Sequence, residues 1–252
     1  MAGLSGTARR AGHGSLVFYA VCRAIVVGCS YLFFPGRTEG RERLPAGGAF
    51  VVAPAHRSYV DWLIVARVSR RRLCYIVKGE VWRSRLSGAL LEALGAFPVR
   101  RDAPDREALH RALAVLDRGE PLVVFPEGTR GSGPVIGELR EGAAYLAIRA
   151  GVPVVPVGLA GTEAVMARGT KLPRPGRVRV VIGAPIAPPV APVGERLGRN
   201  ATHAFSEAIR AGIQDTFDDA TRRLASSPAP GRSPRPASDA ATTGASDAGA
   251  GG

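Results

Sequence analysis

The sequence predicts an α/β domain with a mostly parallel central sheet flanked by helices, preceded by a membrane-associating N-terminal helix and followed by a disordered C-terminal tail. Three observations carry this expectation. From Ala49 to about Arg223, short β-rich runs alternate with longer stretches of helical period, the pattern of strands joined through helices. A nearly unbroken apolar segment occupies residues 16–34. From about Ala225 onward the chain lacks apolar side chains large enough to build a core. With 252 residues, 46% of them hydrophobic, the chain can bury one substantial core. The expected division is therefore 1–35 for the helix, 36–224 for the domain and 225–252 for the tail.

The first element is "LVFYAVCRAIVVGCSYLFF", residues 16–34. At 1.5 Å per residue such a helix runs to roughly 28 Å, close to the thickness of a bilayer core. Ser15, Tyr19, Arg23 and Ser30 fall on one narrow stripe, with Arg23 near the middle. A midplane arginine costs about 2.5 to 3.5 kcal/mol, which favours a helix lying in the membrane interface. A spanning helix, a buried core helix and a signal peptide are the other readings of this segment. Against the last of these, "FPGRTEGRERLP" offers no A-x-A cleavage site.

Six strand-like runs follow: "AFVVA", "LCYIV", "FPVR", "PLVVF", "VPVVPVG" and "RVRVVIG". Between them, Tyr59–Val68, Trp82–Leu94, Asp105–Arg118 and Leu139–Ala150 have helical period. Parallel sheets joined in this way bind ligands beyond the carboxyl ends of their strands. The tail, "ASSPAPGRSPRPASDAATTGASDAGAGG", is low in complexity and rich in Pro, Ala, Gly and Ser.

Charge and cysteine usage narrow the function classes. The net charge is +13, and only Lys78 and Lys171 of the 34 basic residues are lysines. This bias has the look of a codon-composition effect, which weakens inference from single surface arginines. A basic balance favours an anionic membrane surface, phosphates or acidic carrier proteins as partners. Nucleic acid is disfavoured, because aromatics are only 6% and no basic stretch is interleaved with them. Cys22, Cys29 and Cys74 have no metal-ligand spacing, which predicts no metal site and a reducing compartment.

The chemistry-bearing residues gather at expected strand ends. His56 follows "AFVVAPA", and Asp61 falls five residues on, at the start of a helix. On one continuous helix the two would be rotated about 140° apart. With His56 in a loop and Asp61 in the first turn, the imidazole can fold back onto the carboxylate, which fixes its tautomer and supports it as a base. The same stretch, "SYVD", also fits a capping box, in which Asp61 only satisfies a helix start and His56 is an ordinary loop histidine. Lys78 closes "LCYIVK", Arg100 and Arg101 close "GAFPVRR", and "PEGTRG" brings Glu127, Gly128, Thr129 and Arg130 to a fourth strand end. Arginine forks suit phosphate oxygens. For Glu127 and Arg130 a local ion pair is the alternative, and for Arg100 and Arg101 a solvated strand end. His13, His110 and His203 lack partners at ligand spacing, and the chain has no G-x-S-x-G elbow, H-E-x-x-H, Walker loop or G-x-G-x-x-G.

Taken in order, "HRSYVD", "GAFPVRR", "FPEGTR" and "VPVVPVGL" resemble the four motifs of the glycerolphosphate acyltransferase family, most closely its lysophosphatidic acid acyltransferases of the PlsC type. "VKGEVWRSRLSGALLEALGAFPV" also resembles the family's stretch between its first two motifs. The resemblance runs from about Arg37 to Pro185. It implies acyl transfer from acyl-CoA or acyl carrier protein to the hydroxyl of a membrane lyso-lipid, 1-acylglycerol 3-phosphate giving phosphatidate, at the cytoplasmic face of the cell membrane. It implies no cofactor, with His56 as base, Asp61 orienting it, and Arg101, Glu127, Gly128 and Arg130 around the acceptor head group. Two positions depart from the family pattern. Ala55 stands where Asn is common, and Arg100 where Asp or Asn is frequent. These departures leave glycerol 3-phosphate, lyso-ornithine lipids and glycolipids as alternative acceptors. A protein of another class would keep the fold without catalysis and grip anionic lipid through "RVSRRR" and the N-terminal helix.

Overall fold

A computed structural model of the chain describes residues 13–78, 96–99, 106–167, 169–170, 172–190 and 197–227. Arg100, Arg101, the expected helix Trp82–Leu94 and residues 228–252 of the expected tail lie outside the described residues. Seven strands form one sheet: β1 Gly36–Glu39, β2 Val51–Pro54, β3 Cys74–Lys78, β4 Ala96–Val99, β5 Leu122–Val123, β6 Val154–Ala160 and β7 Val178–Ile182. Their spatial order is β1-β7-β6-β2-β5-β3-β4. Neighbours pair parallel except β6 with β7, which run antiparallel. The described helices are α1 His13–Phe33, α2 Asp61–Val65, α3 Arg106–Asp117, α4 Gly142–Ala150, α5 Thr162–Val165 and α6 Arg199–Ser226.

The six strand-like runs all fall on strands. β2, β6 and β7 are buried along their whole length, which is why they read as unbroken Val-rich runs rather than as alternating ones. One core layer packs α3, α4 and α6 on one face of the sheet, through Leu116, Leu146, Phe205, Ile209 and Ile213. A second layer centres on Phe50, Ile64, Leu73 and Val180. β1 escaped the sequence reading because "GRTE" carries no apolar residue. It is an edge strand, placed by pairing with β7. The segment expected to be helical over Tyr59–Val68 is helical only at Asp61–Val65. At the other end α6 reaches Ser226, past the expected boundary at 225. Arg177 Nη1 donates to the Ser227 carbonyl at 2.9 Å and so ties that end down.

β2 sits at the switch point of the sheet. The chain leaves β2 toward β3 on one side, whereas the link from β5 returns to β6 on the other. Loops leaving β2 and β5 in opposite senses open a crevice beyond their carboxyl ends. His56 and the Pro126–Gly131 turn lie on those two loops.

α1 is docked by its polar stripe. Arg23 donates to the carbonyls of Ala66 (3.2 Å) and Ser69, and the Leu73 amide donates to Tyr19 Oη at 3.2 Å. Arg67, fully buried, donates to Ser30 Oγ at 2.7 Å, to the Ser30 carbonyl and to the Phe34 carbonyl at 2.9 Å, with its guanidinium 4.0 Å above the Tyr31 ring. Burial pulls Arg67 down to about 10, which leaves it charged at neutral pH and dependent on these acceptors. The side chains left outward are apolar: Val21, Ile25, Leu32 and Phe33 are all more than half exposed. No helix among the described residues is long and apolar enough to cross a membrane. Cys74 is buried and donates to Glu120 at 3.0 Å. Burial, and then the carboxylate, push its thiol up to about 12, so it stays a protonated packing residue.

Gly158, within "VPVVPVGL", lies where α6 crosses β6. A Cβ there would stand 2.1 Å from the Thr216 carbonyl oxygen and 2.5 Å from the Phe217 nitrogen, both helix backbone. Gly158→Ala is therefore expected to lift α6 from the sheet and cost about 3 kcal/mol, at the upper end of overpacking effects. Urea denaturation followed by circular dichroism measures this, and a variant as stable as the parent would show that α6 is free to shift.

Candidate active site

Beyond Pro54 the chain stays tied to the sheet for one more residue, as the Ala55 amide donates to the Val157 carbonyl at 2.9 Å. It then turns, and His56 Nδ1 stands 2.9 Å from Asp61 Oδ2. A carboxylate can only accept, so Nδ1 carries the proton and Nε2 keeps its lone pair. Asp61 is fully buried. Its Oδ2 also accepts the amides of Arg57 at 2.6 Å and Ser58 at 2.7 Å. The same oxygen thus holds the imidazole and the loop leading into α2, whose start at Val60 has no side-chain cap. Ser58 does not complete the reciprocal box; its hydroxyl donates to the Met166 carbonyl at 2.9 Å. The imidazole rests against Phe125, with ring centroids 4.4 Å apart, and remains partly open to solvent.

The turn after β5 closes over this loop. Gly128 takes φ +68°, a left-handed conformation suited to glycine, and its amide donates to the Phe125 carbonyl at 3.1 Å. The Gly131 amide donates to the His56 carbonyl at 2.8 Å, and Glu127 Oε1 accepts the His56 amide at 2.9 Å. Both backbone groups of His56 are therefore held by the turn. Glu127 Oε2 faces Arg57 Nη1 at 3.4 Å, while Arg57 Nη2 donates to the Val135 carbonyl at 2.8 Å and the guanidinium lies 5.0 Å from the Phe217 ring. Arg57 and Glu127 are both buried.

Of the residues expected at the site, His56, Asp61, Glu127, Gly128, Thr129 and Arg130 share this crevice. Glu127 differs from the expected head-group role, because both its oxygens are occupied inside the protein and it braces one motif against the other. Thr129 is exposed on the turn. Lys78 ends β3, two strands from β2, and the expectations for Arg100 and Arg101 fall outside the described residues. Sequence reasoning missed Arg57 and Arg140. Arg57 hid among many arginines, its one signal being Gly131, where a Cβ would collide with Arg57 Nη1 at 1.9 Å. Arg140 fills the space beside Gly128, whose Cβ would meet Arg140 Nε at 2.5 Å.

Arg130 has no carboxylate partner among the described residues. Its guanidinium lies 3.5 Å from the centroid of the Tyr59 ring, and its Nη1 is sheltered from water without a hydrogen-bond acceptor. The crevice thus combines an imidazole with a free Nε2, oriented by a buried carboxylate, and a guanidinium available to an anion. That combination can remove a proton from a hydroxyl while holding a negatively charged group nearby.

Comparison with known proteins bears on this chemistry. The family model described as Acyltransferase matches residues 37–160. A 1-acyl-sn-glycerol-3-phosphate acyltransferase of Bacillus subtilis is 31% identical over 151 residues, covering 60% of this chain and 73% of the relative. The chloroplastic 1-acyl-sn-glycerol-3-phosphate acyltransferase LPAT1 of Arabidopsis thaliana is 31% identical over 160 residues, and there the match covers 62% of this chain but 45% of the plant protein. The crystal structure of the 1-acyl-sn-glycerophosphate (LPA) acyltransferase PlsC from Thermotoga maritima superposes with a TM-score of 0.62 at 23% identity, covering 80% of this chain and 78% of that one.

The brace makes a stability prediction independent of any reaction. Glu127→Ala leaves the Arg57 charge buried beside a carbonyl and a ring, with an expected loss of about 3 kcal/mol. Combining it with Arg57→Met should recover much of that loss, since an unpaired buried charge is then gone. Thermal melts of the single and double variants test this, and equal melting points for Glu127→Ala and the parent would remove the brace.

Proposed function

The chain belongs to the acyltransferase family and is an O-acyltransferase, and from that premise we propose that it acylates the free hydroxyl of 1-acylglycerol 3-phosphate to give phosphatidate. The acyl donor in this reading is a thioester, acyl-CoA or acyl carrier protein. The observation that carries the reading is the His56–Asp61 contact at 2.9 Å beside Arg130, which has no counterion among the described residues. His56 Nε2 takes the hydroxyl proton as the oxygen attacks the thioester carbonyl. Collapse of the tetrahedral adduct breaks the carbon–sulfur bond, and the leaving thiolate recovers the proton from the imidazolium. Asp61 opposes the transient positive charge on the ring and keeps Nδ1 as the donor. Arg130 receives the acceptor's phosphate, to which a guanidinium fork is matched. The relatives named for this acceptor support the choice of substrate.

The acceptor and product of such a reaction are lipids, and α1 supplies a means of reaching them. Val21, Ile25, Leu32 and Phe33 face outward, and apolar side chains on a helix whose polar stripe is already satisfied gain free energy by entering a lipid interface.

Two measurements test the proposal. Acyl transfer to a panel of lyso-lipids should be fastest with 1-acylglycerol 3-phosphate, and both His56→Ala and Asp61→Asn should lose about 10² to 10⁴ in turnover with unchanged circular dichroism. Near-normal turnover in either variant would remove that residue from the mechanism. Separately, Ile25→Asp combined with Leu32→Asp should weaken sedimentation with anionic vesicles at least about tenfold, since each outward apolar side chain is worth about 1.5 to 3 kcal/mol when buried. An unchanged vesicle-bound fraction would mean that α1 is not the attachment surface.

A further inference from the structure

Between His56 and Asp61, Arg57, Ser58 and Val60 are buried, whereas Tyr59 is 55% exposed. Its ring nonetheless has a defined partner, the Arg130 guanidinium, whose central carbon lies over the ring at stacking distance, 3.5 Å from its centroid. Several arginines are met by carboxylates, as in Arg111 with Glu107, Arg179 with Glu39 and Arg210 with Glu207, and Arg67, which also stacks on a tyrosine ring, has its Nε and Nη2 groups taken by Ser30 and Phe34. Arg130 has the ring but, among the described residues, no acceptor on its N–H edge. A carboxylate would occupy its N–H edge and cancel its charge, whereas an aromatic face supports the plane and leaves both for another ligand.

We propose that Tyr59 is a positioning residue for acceptor binding: its ring fixes the plane of Arg130 so that the free N–H edge meets a phosphate monoester at a set distance from His56. The proposal rests on the reading of Arg130 as the phosphate ligand. Tyr59 lies three residues from His56, and the Gly131 amide already joins the Arg130 turn to the His56 carbonyl at 2.8 Å. The stack is a second link between the same two segments. It makes the base and the anion-binding group parts of one unit, with the ring selecting for acceptors whose phosphate and hydroxyl are separated by that span.

The test compares Tyr59→Leu, Tyr59→Phe, Arg130→Ala and the Tyr59→Leu/Arg130→Ala double variant, each checked by thermal melting. The readouts are KM and kcat for lysophosphatidate, the same for a monoacylglycerol, and inhibition by inorganic phosphate. Tyr59→Leu is expected to raise KM for lysophosphatidate and weaken phosphate inhibition by about fivefold, the effect of losing a half-exposed cation–π contact. It should leave kcat and monoacylglycerol efficiency nearly unchanged. Tyr59→Phe should stay within about twofold of the parent, since the ring is what holds the cation. The double variant should be no worse than Arg130→Ala. Selective loss of lysophosphatidate in Arg130→Ala without such loss in Tyr59→Leu overturns the positioning role and leaves the phosphate reading standing. Equal loss of both acceptors in Arg130→Ala overturns both. A further loss of about fivefold on adding Tyr59→Leu to Arg130→Ala also overturns the proposal, because the ring would then act without the arginine.

Discussion

The buried contact between Arg57 and Glu127 is the constraint on which the rest of the crevice depends. Two ionic groups taken from water need partners for their remaining hydrogen-bonding positions. Here those partners are the His56 amide for the carboxylate and the Val135 carbonyl for the guanidinium. Satisfying one ion pair therefore fixes the loop after β2, the turn after β5 and the segment beyond that turn. His56 inherits a backbone held at both its amide and its carbonyl. Its side chain then needs only Asp61 to set its tautomer.

This arrangement explains why the motifs are spaced as they are. The sheet order puts β5 beside β2 although nearly 70 residues separate them in the chain, and the switch point directs their loops into one crevice. Gly128 and Gly131 answer to different demands. The first supplies a left-handed turn with Arg140 against it, and the second leaves room for the Arg57 guanidinium. Gly158 in the last motif serves α6, by allowing helix backbone to reach sheet backbone.

Much of this was legible in the sequence, for identifiable reasons. Long Val-rich runs betrayed β2, β6 and β7 because strands buried on both faces need apolar residues throughout. The meeting of His56 with Asp61 was one of two readings of that stretch, a loop residue set against a helix start, the other being a plain helix cap. "GRTE" gave no sign of β1, whose place comes from its neighbour rather than from its own side chains. The role of Glu127 was hidden because a carboxylate at a strand end reads the same whether it turns toward a ligand or into the protein, and its partner Arg57 was one arginine among many. Helical periodicity revealed that α1 has a polar stripe and an apolar remainder. It could not reveal that the stripe faces inward, since the surface receiving it consists of the carbonyls of residues 66 and 69 and the buried Arg67, groups that no hydropathy pattern displays.

That inward stripe has a consequence for adsorption. Many amphipathic segments are coil in water and become helical on a bilayer, so their affinity is reduced by the entropy of ordering. α1 is already helical and already anchored, by Arg23, Tyr19 and Ser30, before any lipid is met. If α1 adsorbs through its outward residues, as proposed, it needs no folding step to do so. On the proposed attachment, residence time on a bilayer would be a property of a handful of exposed side chains, adjustable by substitution at Val21, Ile25, Leu32 or Phe33 without disturbing the crevice that holds His56 and Arg130.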